Sequence, residues 1–156
     1  MKKIKNPWNA MPGYQCFGCA QNNEHGLKME FYVDGDEIVS IWNPEAYYQG
    51  WIDTLHGGIQ CTLIDEIAGW TSHYFMKACG VTSKIETKFI KPIYTNKGEL
   101  TIRARMEKRL RNIAIINVTI RNKEGEICTE GVVTFFTFSK EISEKQYFYT
   151  ELETEE

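Results

Sequence analysis

Long apolar runs are missing from this sequence. No stretch approaches the ~20 consecutive residues that span a bilayer, and the opening MKKIKNPWNAMPG has lysines but no apolar segment of the kind a secretion signal carries. No membrane contact is expected, and the default location is the cytoplasm. Excess positive charge is missing too: the formal net charge is -3, so no global field draws the chain to nucleic acid or anionic lipid. Nor is there a cysteine framework. The cysteines stand at 16, 19, 61, 79 and 128, an odd and scattered set that reads as reduced thiols rather than the dense even pattern of a small secreted domain. Cys16 and Cys19 form a C-x-x-C, but zinc takes about four such ligands, there is no second pair, and only His25 is close in sequence. A redox C-x-x-C would sit where a strand meets a helix, whereas CFGCAQNNEHGLKM runs through polar turn residues toward a strand. A packed loop with neither metal nor redox cofactor is the expectation.

What is present fits one domain. The chain has 156 residues, enough for a single core, expected over 14–139 with a leader at 1–13 and an acidic extension at 140–156. LKMEFYV (27–33) and EIVSIW (37–42) have strand composition, and Asp34, Gly35 and Asp36 between them suit a tight hairpin. From 56 to about 79 the period changes. Ile59, Leu63, Ile67, Trp70 and Tyr74 recur at steps of four, four, three and four, one face of a helix, with Gly80 placed to end it. Strands are then expected over 81–91, 99–109, 113–121 and 126–138, separated by turn signals at 96–98 and 123–125. The aromatics of the extension, Tyr147, Phe148 and Tyr149, argue that part of it packs. One apolar helix among antiparallel strands is most simply buried by wrapping the sheet around it, an α+β fold whose open sheet edges invite a second copy.

Chemistry concentrates in HGGIQCTLIDEIAGW, residues 56–70. Gly57 and Gly58 stand where the helix begins, so their N–H groups have no helical acceptor and lie at the positive end of the helix dipole. Without Cβ atoms they let a ligand carbonyl come close, as an oxyanion hole requires. Asp65 follows eight residues after Gly57, about 12 Å along the helix and roughly 80° around it. One carbonyl cannot touch both groups of one chain, so a shared reaction centre requires two antiparallel helices across a two-fold axis. An acid within an apolar helix needs a partner or a function, and Asp65 is the candidate. Glu66, about 100° further round, is expected to face solvent or a lysine. His56 reads as a residue that braces the glycine loop.

In TIRARMEKRLR, alternation puts Arg103, Arg105, Arg109 and Arg111 on one strand face and Ile102, Ala104, Met106 and Leu110 on the other. A solvated face explains this. The functional version is an electropositive rim for the phosphates of a nucleotide-bearing substrate, extended by Lys88 and Lys91.

Three blocks, CFGCAQNNEHGLKM, YQGWIDTLHGGIQCTLIDEIAGW and KFIKPI with the glycine-containing turn after it, together resemble the hotdog-fold acyl-CoA thioesterases. The likeness covers about residues 14–139 and points to the branch similar to the phenylacetate-pathway thioesterase within the wider 4-hydroxybenzoyl-CoA thioesterase superfamily. The resemblance implies a hotdog fold, a homodimer with two composite sites, often a dimer of dimers, and an acyl-CoA substrate. Carried onto this chain, it implies that Gly57 N–H polarises the thioester carbonyl, Gly58 shapes the loop and His56 braces it. Asp65 of the facing subunit would then activate water or attack the carbonyl, assisted by a hydroxyl at Thr82 or Ser83. Relatives often carry an amide shortly before H-G-G; here Gly50 holds that offset and Gln49 lies beside it.

Two rival readings stand beside hydrolysis. A hotdog dehydratase or hydratase would bring a histidine and an acid to the α and β carbons of a thioester, but its His-to-acid spacing is longer. A non-catalytic acyl-CoA sensor would carry an appended DNA-binding helix pair, for which the leader is short, and would leave Asp65 without a purpose. Trp51, Trp70 and Phe75 are candidates to line an acyl pocket.

Overall fold

The apolar run after His56 forms one 20-residue helix, α1 (Gly57–Met76), in the computed structural model, which describes residues 1–155. Glu156, the end of the expected extension, lies outside the described residues. Leu63, Ile64, Ile67 and Ala68 of α1 are fully buried. They are covered by a seven-stranded antiparallel sheet made of β1 (Lys2–Lys3), β2 (Tyr32–Asp34), β3 (Glu37–Trp42), β4 (Gly80–Phe89), β5 (Leu100–Leu110), β6 (Ile113–Arg121) and β7 (Ile127–Thr137). The strand order is β1-β2-β3-β5-β6-β7-β4. The pleat sends alternate residues to the helix: Ala114, Ile116, Val118 and Ile120 of β6, and Val133 and Phe135 of β7, are buried. A long helix held in a curved antiparallel sheet is the hotdog arrangement, and the fold is α+β as expected. No helix among the described residues is long and apolar enough to cross a membrane.

The sheet approaches α1 most closely at Gly131 on β7. A Cβ there would lie 2.7 Å from Ile64 Cγ2, nearer than carbon atoms tolerate.

Several boundaries differ from the sequence expectation. The helix stops at Met76 because Lys77 turns left-handed, with φ 53°, and gives its N–H to His73 O. Gly80 therefore opens β4 instead of ending α1, and it is small for a different reason: a Cβ would sit 2.7 Å from Phe136 O on the paired strand. The strand expected over 27–33 begins only at Tyr32. Its alternation is real, since Leu27, Met29 and Phe31 are buried. The main chain before Tyr32, however, bonds the N-terminal loop, Leu27 N to Phe17 O at 2.8 Å and Met29 N to Gly18 O at 2.9 Å.

The two ends of the chain are stitched together. Lys5 N donates to Glu153 O and Glu155 N to Lys3 O, both at 2.8 Å, and Ile4 and Leu152 are buried. A short helix, α2 (Lys140–Gln146), precedes this tail, and Tyr147 stacks on Phe138 with ring centroids 4.7 Å apart. The acidic ending is thus tied to the leader through Glu153 and Glu155, with Leu152 buried beside them in the chain.

Substituting Gly131→Ala forces β7 away from α1 and is expected to lower stability by about 1–3 kcal/mol. Pairing it with Ile64→Ala, which vacates the same space, should give a loss smaller than the sum of the two single losses in chemical denaturation.

Candidate active site

The start of α1 is fixed from both sides before any chemistry enters. His56 N donates to Tyr48 O at 3.0 Å, and Leu55 N donates to Ile93 O at 2.8 Å. Gln60, buried in the first turn of the helix, gives its Nε2 to Leu55 O at 3.3 Å and accepts the Thr129 hydroxyl of β7 at 2.5 Å. This buried amide locks the glycine loop to the sheet. Sequence reasoning missed it, although a glutamine inside an apolar helical stripe was the available signal.

With the loop fixed, its donors can be followed one by one. Gly58 N donates to His56 Nδ1 at 2.8 Å, and Ile59 N and Gln60 N both donate to His56 O. Gly57 N has no acceptor among the described residues. Of the two glycines, only Gly57 therefore presents a free N–H at the positive end of α1, while the Gly58 donor is taken by the cap. His56 acts as the N-cap, and because Nδ1 accepts, the ring proton of the neutral imidazole resides on Nε2. His56 is exposed and Gly57 half-buried.

Two turns further on, Asp65 Oδ1 accepts the Thr82 hydroxyl at 2.5 Å. Between the two candidate hydroxyls the structure distinguishes clearly. The β4–β7 register pairs Thr82 with Phe135 and Lys84 with Thr134, so Ser83 is the extra residue of a bulge. Ser83 is exposed and makes no side-chain hydrogen bond among the described residues. Asp65 is half-buried, not deeply buried, and Thr82 is exposed. Thr82 belongs to the outer strand β4, which among the described residues pairs only with β7, and Asp65 lies beside it.

Glu66 does not face solvent. It turns the other way, beneath the N-terminal loop, where Oε1 accepts Trp70 Nε1–H at 3.1 Å and the Cys16 thiol at 3.4 Å. Burial pushes its carboxyl up to about 7. The loop lies so close that a Cβ on Gly18 would fall 2.4 Å from Glu66 Cδ. Neighbouring acids, ~100° apart around the axis, thus serve different faces of one helix.

The remaining candidates disperse. Gln49 is exposed, and its Oε1 accepts Asp53 N at 3.0 Å, which tightens the turn before His56. The arginines do not share a face: a bulge between Met106 and Lys108 shifts the β5–β6 register and puts Arg109 opposite the buried Ala114. Arg111 lies in the following turn with φ 52°. Arg103 is tied to Asp34 and Glu37, and Arg105 to Asp36, so this charge is largely compensated. Lys88 is exposed on β4 opposite Glu130, and Lys91 pairs with Glu126. Lys91 also lines an open cavity of about 470 Å³ together with Lys97 and Lys123, which the alternation in 101–111 could not reveal. Trp51 is 85% exposed while Trp70 is buried against Phe31, so the proposed aromatic lining does not come together within one chain.

Comparison with known proteins bears on this region. Residues 53–129 match the family model of the thioesterase superfamily, a span that contains His56, Gly57, Asp65 and Thr82. A Thermoplasma acidophilum protein named as an unconfirmed esterase is 29% identical over 87 residues, 55% of this chain; the match covers 64% of that relative's length. Among solved structures, a hypothetical thioesterase of Streptococcus pneumoniae crystallised with coenzyme A superposes with a TM-score of 0.66 at 23% identity, over 71% of this chain and 86% of that one. A thioesterase of Haemophilus influenzae gives 0.66 at 22% identity, over 72% and 80%. At these identities the superpositions establish the hotdog fold.

Replacing Gln60 by Leu leaves Thr129 Oγ1 and Leu55 O without a partner. A loss of about 1–3 kcal/mol in denaturant unfolding is expected, with faster amide exchange at residues 55–60 as the local signature.

Proposed function

We propose that the protein is an acyl-CoA thioesterase of the thioesterase superfamily, acting in the cytoplasm as a homodimer, or dimer of dimers, whose two sites are each built from both subunits. The single observation that carries this reading is the unpaired Gly57 N–H at the head of α1, on the same helix as a carboxylate held by Thr82. The family-model match over 53–129 supports the hydrolase class. The C-x-G-C loop, outside that span, supports the phenylacetate-pathway branch.

The roles follow from charge. As water adds to the thioester carbonyl, negative charge develops on oxygen, and a fixed N–H aimed at it is stronger in the transition state than in the ground state. Asp65 takes the proton of the attacking water, or attacks first and is itself released by water. The Thr82 hydroxyl fixes which carboxylate oxygen points to the reaction. Collapse of the tetrahedral adduct expels a thiolate, whose pKa of about 8.5 lets it leave without a strong acid.

Two features support the dimer. About 12 Å of helix separates Gly57 from Asp65. The exposed apolar side chains Tyr47, Trp51, Ile52, Phe89 and Tyr94 gather near the glycine loop and the end of β4, a concentration typical of surfaces covered by another chain.

Thiol release measured across short, medium, long and aromatic acyl-CoAs tests the activity. Asp65→Ala should abolish most of the turnover seen on the best substrate; full activity in that variant would sink its assignment. Gly57→Pro is the sharper probe, because proline fits the first helical position and removes only the N–H. Its kcat should fall about 10²–10³-fold without loss of helix by circular dichroism. Refolded mixtures of Asp65→Ala and Gly57→Pro should recover activity through the one intact site of each mixed dimer, whereas a site within one subunit would stay dead.

A further inference from the structure

The C-x-x-C loop is not an isolated pair. Cys16 Sγ, Cys19 Sγ and a carboxylate oxygen of Glu66 all lie within 4.8 Å of one another. We propose that these three side chains form a binding site for a single thiophilic divalent cation of the Zn²⁺ class, with its fourth position open to water in the adjoining cavity. That cavity measures about 400 Å³ and is bordered by Trp8, Tyr14, Trp70 and His73.

Four observations carry the assignment. First, the donor set is two sulfurs and one carboxylate, which suits zinc and not the hard cations that take only oxygen. Second, each donor already has an orienting partner: Tyr14 OH is 3.0 Å from Cys19 Sγ, Trp70 Nε1 donates to Glu66 Oε1 at 3.1 Å, and Cys16 Sγ lies 3.4 Å from that same oxygen. Metal ligands are held by outer contacts of this kind. Third, no Lys or Arg among the described residues forms an ion pair with Glu66, so its ionised form lacks a cation. Fourth, the missing Cβ of Gly18 is what lets the loop close over the carboxylate. A Cys16–Cys19 disulfide would use the two sulfurs but would give Glu66 no counter-charge.

Binding would displace two thiol protons and place three anionic ligands around a dication, leaving one coordination position for water. The site lies on the side of α1 away from Thr82, so it is separate from the hydrolytic centre and stands or falls independently of it.

The test is metal binding, not activity. Full-length protein, reduced and stripped with a chelator, is titrated with Zn²⁺ against a chromophoric competitor and with Co²⁺ in the absorption spectrometer. One metal per chain and a thiolate-to-cobalt charge-transfer band are expected. Cys19→Ser and Glu66→Gln should each weaken binding at least ~100-fold, since outer-contact losses alone cost ~10–100-fold, while Cys79→Ser, in the same cavity, should not. Near-UV circular dichroism confirms that each variant is folded; if Glu66→Gln is not, Cys19→Ser decides. Absence of stoichiometric binding, binding unchanged in Cys19→Ser, or binding lost in Cys79→Ser overturns the proposal. So does a Cys16–Cys19 disulfide that survives treatment with reductant.

Discussion

The burial of α1 against one face of a single sheet is the constraint on which the rest of the molecule depends. Four fully buried side chains on successive turns, Leu63, Ile64, Ile67 and Ala68, fix the rotation of the helix about its axis. Once that rotation is set, every other residue of α1 has an assigned direction. Asp65 must lie toward β4 and Glu66 toward the N-terminal loop, because ~100° separates neighbours on a helix. The glycine loop must in turn lie where the sheet ends, held by the Gln60 amide. Gly131 shows how tight the arrangement is: one methyl group more would push β7 off the helix.

Much of this was legible in the sequence because it is periodic. Steps of three and four residues from Ile59 to Tyr74 mark the helix, and the long strands after it differ from their expected spans by only a residue or two. What was not legible depends on events that no period records. The bulge at Glu107 changes which arginines share a face, and it leaves no compositional mark. The halt at Lys77 is of the same kind, for lysine is not a residue that announces a left-handed turn, and the structure offers no physical account of its choice over glycine. Residues 27–31 alternate as a strand does, yet their partner is a loop, and alternation reports burial without naming the hydrogen-bonding neighbour.

The candidate site divides along the same line. His56, Gly57 and Asp65 lie in one contiguous block, so spacing alone placed them on one helix. Thr82 needed the fold, because only the β4 bulge distinguishes it from Ser83. Glu66 was misplaced in the sequence reading for an instructive reason: its partners come from Cys16 and Gly18, some fifty residues earlier in the chain, and no local pattern ties them together. A C-x-x-C judged by sequence neighbours alone lacks a third donor; judged in space, it has one.

The same helix also limits what its N-terminus can do. Of the first four N–H groups of α1, the Gly58 donor is spent on His56 Nδ1 and the next two converge on His56 O, which among the described residues leaves one free donor at Gly57. A single N–H offers modest stabilisation to a developing oxyanion, two to three orders less than a pair would provide if each is worth about 10²–10³-fold. Such a site suits an ester whose carbonyl is already reactive and whose leaving group needs no acid, and a thioester meets both conditions better than an amide or an oxygen ester. The economy of donors at the head of α1 therefore favours the proposed thioester over an amide or an oxygen ester, and in that proposal the aim of Asp65 carries correspondingly more weight.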